Sequence, residues 1–108
     1  MENFNFVENA TKIFHLVDEA RKKWVRAEVM LYIANRLPYI SMPFPLISRA
    51  KKLLKESLKN LEEAQELIEK DPNLDSVSIK NKINIEKAKK AIEKLNIDFE
   101  KLKTAVGV

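Results

Sequence analysis

The chain has 108 residues, 45% of them apolar and 33% charged, with 20 basic against 16 acidic side chains and a formal net charge of +4. This is the composition of one ordered domain, 1–108, with a single hydrophobic core, and not of a disordered tail. The absence of cysteine excludes disulfides, thiolate metal sites and cysteine nucleophiles, and a lone glycine, Gly107, excludes phosphate-cradling glycine loops.

The first six residues, Met-Glu-Asn-Phe-Asn-Phe, have neither the basic stretch nor the apolar run of a secretory signal. The most apolar region, Ala27 to Ile47, is interrupted by Glu28, Asn35, Arg36 and three prolines, which argues against a membrane span. The expectation is a cytoplasmic protein with no membrane contact.

From Phe6 the apolar residues Ala10, Ile13, Val17, Ala20, Trp24, Ala27, Leu31 and Ala34 recur in alternating steps of four and three. That spacing predicts one long helix over 6–37, with its seam on one face. Phe14, Val25, Val29 and Ile33 read as widening the seam, so the stretch from Val25 to Leu37 is expected to be the most buried part. Asp18–Lys22 and Glu19–Lys23 are favourable pairs one turn apart. Pro38 ends the helix, because the residue before a proline resists helical geometry.

The connection 38–47 has three prolines and is otherwise nearly all apolar, which is unusual for a connection. Two readings stand. Ile40, Met42, Phe44 and Leu46 fold back as a cap on the open end of the core, with the prolines lowering the entropy cost. Alternatively, Tyr39, Met42 and Phe44 form an exposed patch that a partner covers, with Arg36 and Arg49 at its rim.

Ile47, Ala50, Leu54, Ser57, Leu61, Ala64 and Ile68 form a second seam, predicting a helix over 46–70 that ends at Lys70-Asp71-Pro72-Asn73. Ser57 is the polar member of this seam; it either hydrogen-bonds to its own helix or marks a close helix crossing. Ile85, Ala88, Ile92, Leu95, Phe99, Leu102 and Val106 form a third seam. Val77 to Ile85 alternates in places like a strand. A lone hairpin would have no sheet to join, however, and helix is expected over 76–104.

Three helices of similar length with short connections predict an all-α fold, an antiparallel three-helix bundle. A helical hairpin whose long first helix pairs with a second copy is the alternative, and a homo-oligomer is compatible with either. In the bundle, Arg36, Arg49, Lys51, Lys52, Lys55, Lys94, Lys101 and Lys103 gather at the loop end with four acids, Glu56, Glu93, Asp98 and Glu100. The remaining charges balance, so the whole net charge sits at that end. Helix two runs from bases (Arg49, Lys51, Lys52, Lys55, Lys59) to acids (Glu62, Glu63, Glu66, Glu69, Asp71). This order opposes the helix dipole. The acids are expected beside Arg21, Lys22 and Lys23 of helix one, whereas the bases have no such partner. They read either as a solvated face or as a docking site for an acidic partner.

Nothing in the sequence assembles a catalytic or metal site. His15, the only histidine, falls on the outer face of helix one, and the Glu-x-x-His pairs of di-iron bundles are missing. Trp24 lies in the seam and reads as core. The expected function is therefore that of a non-enzymatic interaction protein without cofactor or metal: an accessory subunit, adaptor or inhibitor. Its partner-binding residues are Arg36, Tyr39, Met42, Phe44, Arg49, Lys51, Lys52 and Lys55. The alternative is a nucleic-acid-associated subunit whose lysines grip phosphates without reading sequence.

Overall fold

In a computed structural model, which describes residues 2–36 and 44–105, the chain forms three long helices. They are α1 (Glu2–Arg36), α2 (Phe44–Ile68) and α3 (Asp75–Ala105). No strand occurs among the described residues. The region read as ambiguous, 76–85, is helix throughout. The molecule is a rod of 60 × 17 × 17 Å.

The helix ends follow local chemistry. Pro45 sits in the first turn of α2, where its missing N–H leaves no bond unmade. Past Ile68 the chain tightens through Lys70 N–H to Leu67 O and Asp71 N–H to Ile68 O. A one-turn 3₁₀ helix, Pro72–Leu74, follows, and the Asp71 carboxylate caps it by accepting from the Asn73 N–H at 2.9 Å. Asp75 then supplies the acid that the N-terminus of α3 favours.

The helices run antiparallel in sequence, so the loop end gathers the end of α1, the start of α2 and the end of α3. One cluster there joins Ala27 and Ala34 to Ile47, Ala50 and Leu54 and to Leu95. A middle cluster joins Ala20, Leu61, Ile85 and Ala88, and the far cluster joins Ile13, Ala64 and Ile68. Helix α2 is the shared element: α1 and α3 pack along it and approach each other far less.

The α1–α2 contact is set by small residues seven apart: Ala20, Ala27 and Ala34 on one helix, Ala50, Ser57 and Ala64 on the other, all buried. An antiparallel register places Ile13 by Ala64, Ala20 by Ser57 and Ala27 by Ala50. The Ser57 hydroxyl donates to the Ala20 carbonyl at 2.8 Å. A side chain that short reaches a neighbouring backbone only where two helices lie in close contact. Of the two readings of Ser57, the close crossing is the one observed.

The α2–α3 contact carries a polar ladder. Asn81, buried, donates from Nδ2 to Leu61 O at 2.9 Å and to Gln65 Oε1 at 3.1 Å. Gln65 Nε2 in turn donates to Ser78 Oγ at 2.9 Å and to Glu69 Oε1 at 3.0 Å.

Two expectations are corrected. The stretch Val25–Arg36 is not the most buried part: Val25, Val29, Tyr32 and Ile33 are exposed, and Phe14 is 76% exposed. The inward seam is made by the alanines with Ile13, Leu16, Val17, Trp24, Met30 and Leu31, so the extra apolar residues fall outside it. Trp24, read as core, is half-buried and packs against two of the three clusters. The acids of α2 do not pair with Arg21, Lys22 and Lys23; Glu62, Glu63 and Glu66 are solvated. The ion pairs seen among the described residues, Asp18 with Arg21 and Lys22, Glu19 with Lys22, and Glu86 with Lys89, each lie within one helix.

Candidate functional site

Three helix termini build the loop end. Phe44, the first residue of α2, meets Phe99 near the end of α3 edge to face, centroids 5.5 Å apart and planes at 89°. The ring quadrupole favours this arrangement. Both rings are half-buried, so Phe44 ties α2 to α3. On α1, the Arg36 guanidinium lies 4.1 Å from the centroid of the exposed Tyr32 ring, a cation–π contact that holds the arginine at the rim. Tyr39 and Met42 lie outside the described residues.

The bases of α2 divide between faces. At about 100° per residue, Arg49, Lys52, Lys55 and Lys59 spread over about 120° of the outer face of α2 along roughly 15 Å, with Glu56 among them, and all four are exposed. Buried Ile47, Ala50 and Leu54 hold the other side of the helix against the core. Lys51, one turn before Lys55, lies at the edge of this face and is half-buried. Among the described residues, no ion pair neutralises any of these five bases. Helix α2 also has no acid in its first turn and no base in its last. The same end receives exposed Lys94 and Lys101 from α3. The structure thus brings Arg49, Lys52 and Lys55 together, sets Lys51 to one flank, and turns Phe44 partly inward. Lys59 belongs to the same face by its spacing. The Tyr32 platform under Arg36 was readable as an aromatic and an arginine one turn apart.

A second concavity lies where α1 and α3 diverge over α2. Two adjoining clefts of about 500 and 450 Å³ share Trp24 and Glu28 as lining residues. The Trp24 indole N–H donates to the Glu28 carboxylate. The floor comprises Ser57 and Leu61 in one cleft and Ile47 and Leu54 in the other. Ser57 is the one hydroxyl-bearing residue lining the two, and its proton is committed to Ala20 O. No histidine faces these clefts, and His15 is solvated on α1. Among the described residues, no three His, Cys, Asp or Glu side chains form a group able to hold a metal ion. No described helix is long and apolar enough to cross a membrane.

Comparison with known proteins adds no relative: no family model, no curated protein and no solved structure matches this chain.

Proposed function

We propose that the protein is a small non-enzymatic interaction protein, an accessory subunit, adaptor or inhibitor of the cytoplasm, that docks an acidic partner through the loop end. The surface comprises Arg49, Lys52 and Lys55 with Lys51 on their flank, Arg36 at the rim, Phe44 at the start of α2, and the connection bearing Tyr39 and Met42. One observation carries the reading. Four exposed bases, Arg49, Lys52, Lys55 and Lys59, share the outer face of α2, its first turn holds no acid, and none of the four forms an ion pair among the described residues. Mutual repulsion among these bases is unfavourable for folding, and an acidic partner relieves it.

The same face favours nucleic-acid backbone as a second reading, because evenly spaced bases on a rod suit phosphates in a row. Salt separates the two. Contact with four to six phosphates predicts a loss of affinity of roughly 10²- to 10³-fold between 50 and 200 mM salt. An acidic protein surface with an apolar centre predicts a much shallower dependence.

The deciding experiment is capture of partners from the native organism's extract by the full chain, with and without nuclease, in parallel with the Lys52→Glu/Lys55→Glu variant. The proposal expects a nuclease-resistant protein partner that the variant loses. Partners that vanish on nuclease treatment establish the second reading. Binding unchanged by the charge reversals removes both. Phe44→Ala is a poor probe here, since it also removes the contact with Phe99 that ties α2 to α3.

A further inference from the structure

The face of α1 turned away from the core carries apolar residues toward both of its ends, with Asp18, Arg21 and Lys22 between them. Val7, Phe14, Val25, Val29, Tyr32 and Ile33 are all exposed, Phe14 by 76% and Tyr32 by 59%. They do not scatter. At about 100° per residue, Val7, Phe14, Val25 and Tyr32 lie along one line of the helix, with Val29 beside it. The seam alanines Ala20, Ala27 and Ala34 lie on the other side. Single exposed apolar residues are ordinary on a protein surface, but exposed apolar residues aligned along one helix on both sides of a charged pair mark a contact surface.

The order of residues along that line identifies what fits it. Val7, Phe14, Asp18, Arg21, Val25 and Tyr32 follow one another in steps of seven, four, three, four and seven, which read the same in both directions. Two copies of α1 laid antiparallel about a two-fold axis between Glu19 and Ala20 therefore match completely. Val7 meets Tyr32 of the second copy, Phe14 meets Val25, and Asp18 meets Arg21, each twice. Asp18 and Arg21, already 3.2 Å apart within one helix, join their copies at the axis as a cluster of two acids and two bases. A polar cluster inside an apolar seam sets the register of paired helices.

Charge selects the same direction. Residues 2–19 carry four acids and one base, whereas residues 21–36 carry five bases and one acid. Antiparallel pairing sets the acidic half of each helix on the basic half of the other, and parallel pairing sets like on like. The overlap runs over 3–36, roughly 50 Å of helix and nearly five heptads.

We infer that the outer face of α1 binds a second copy of this chain, forming an antiparallel dimer with Asp18 and Arg21 at its two-fold axis. This inference does not rest on the function proposed for the loop end. Its test is the mass of the full chain in solution with two charge-swapped variants. Sedimentation equilibrium is expected to give twice the 12.5 kDa chain mass. Asp18→Arg alone leaves only bases at the axis and Arg21→Asp only acids, so each alone is expected to weaken dimerisation roughly tenfold or more. The two variants mixed restore complementarity and are expected to form a heterodimer as tight as the native dimer. Because the chain has no cysteine, Val7→Cys and Tyr32→Cys chains test the register: mixed, they are expected to form a disulfide between unlike chains, and neither does so alone. Unchanged circular dichroism in the four variants shows that the fold is kept. A native chain that stays monomeric, a mixture that fails to pair, or a disulfide joining Val7→Cys to its own copy overturns the inference.

Discussion

Asp18 shows how a residue's neighbours on its own helix set its chemistry. Hydrogen bonds from Lys22 and then Arg21, both at 3.2 Å, hold its carboxyl below the ordinary value of 3.8. A carboxyl that titrates lower when folded than when unfolded contributes stability fully above the ordinary range. That contribution disappears as pH falls through the lowered value. NMR titration of Asp18 is expected to give a midpoint below 3.8, returning toward it in Lys22→Gln; a midpoint at or above 3.8 in the native chain contradicts the contact. Ser57 and Asn81 make a second pair of cases. The Ser57 hydroxyl adds one bond to a carbonyl already inside a helix, so Ser57→Ala is expected to cost only about 0.5–1.5 kcal/mol in urea unfolding. Asn81 bridges two buried acceptors, Leu61 O and Gln65 Oε1. Asn81→Leu leaves the Gln65 Oε1 without its donor and is expected to cost about 1–3 kcal/mol. Ser57 stood out in the sequence because it interrupts an apolar seam. Asn81 did not, and the reason is physical. The third seam runs back in the same steps from Ile85 through Asn81 and Ser78, but its members there are polar, and a search for apolar periodicity stops where the seam turns polar.

At the scale of helices, periodicity located all three elements to within a few residues, because a helix must present a stripe to whatever it packs on. It also put the 4-3 seam of α1 inward, as observed, but read the outer line as a widening of that seam. The 4-3 seam and the outer line share a helix rich in apolar residues, and only the neighbour decides how far the inward face extends. That neighbour is the Ala50–Ser57–Ala64 row of α2, which admits small side chains and leaves Phe14, Val25 and Tyr32 outside. The close α1–α2 contact makes a sharp prediction. Ala27, with no exposed surface, faces Ala50, so Ala27→Leu is expected to destabilise the fold by about 1–3 kcal/mol, although leucine is a good helix former and apolar. The same change at an exposed α1 position such as Arg26 is expected to move stability by less than about 0.5 kcal/mol. Equal effects at the two sites would contradict the packing of small residues. Helix α2 offers the reverse case. Arg49→Glu places an acid nearer the positive end of the helix dipole, so thermal unfolding is expected to show stability unchanged or raised by a few tenths of a kcal/mol. A clear loss of stability would mean that Arg49 has an internal partner.

On the scale of the whole molecule, the rod places the loop-end charges at one extremity, and the sequence conveyed this once the antiparallel course was granted. The clefts beside Trp24 were not legible, because they arise from how far α1 and α3 stand apart, a distance that no single helix's pattern encodes. Joining the two proposals gives a consequence that neither has alone. An antiparallel dimer over 3–36 carries one basic loop end at each extremity, roughly 50 Å apart, facing opposite ways. Such a particle bridges two acidic partners or grips one extended acidic polymer at two places, and linked sites gain avidity without any new contact. The Phe14→Glu/Val25→Glu variant removes the apolar pairs that flank the axis of the pairing face but leaves Arg49, Lys52 and Lys55 untouched. Its binding to an acidic surface of high density is expected to fall about 10²-fold, while its binding to a short, single-site acidic ligand stays within about twofold of native. An equal fall on both ligands would place the two residues in the binding surface itself. Equal retention on both would mean that the ends act singly and that bridging is no part of what this rod does.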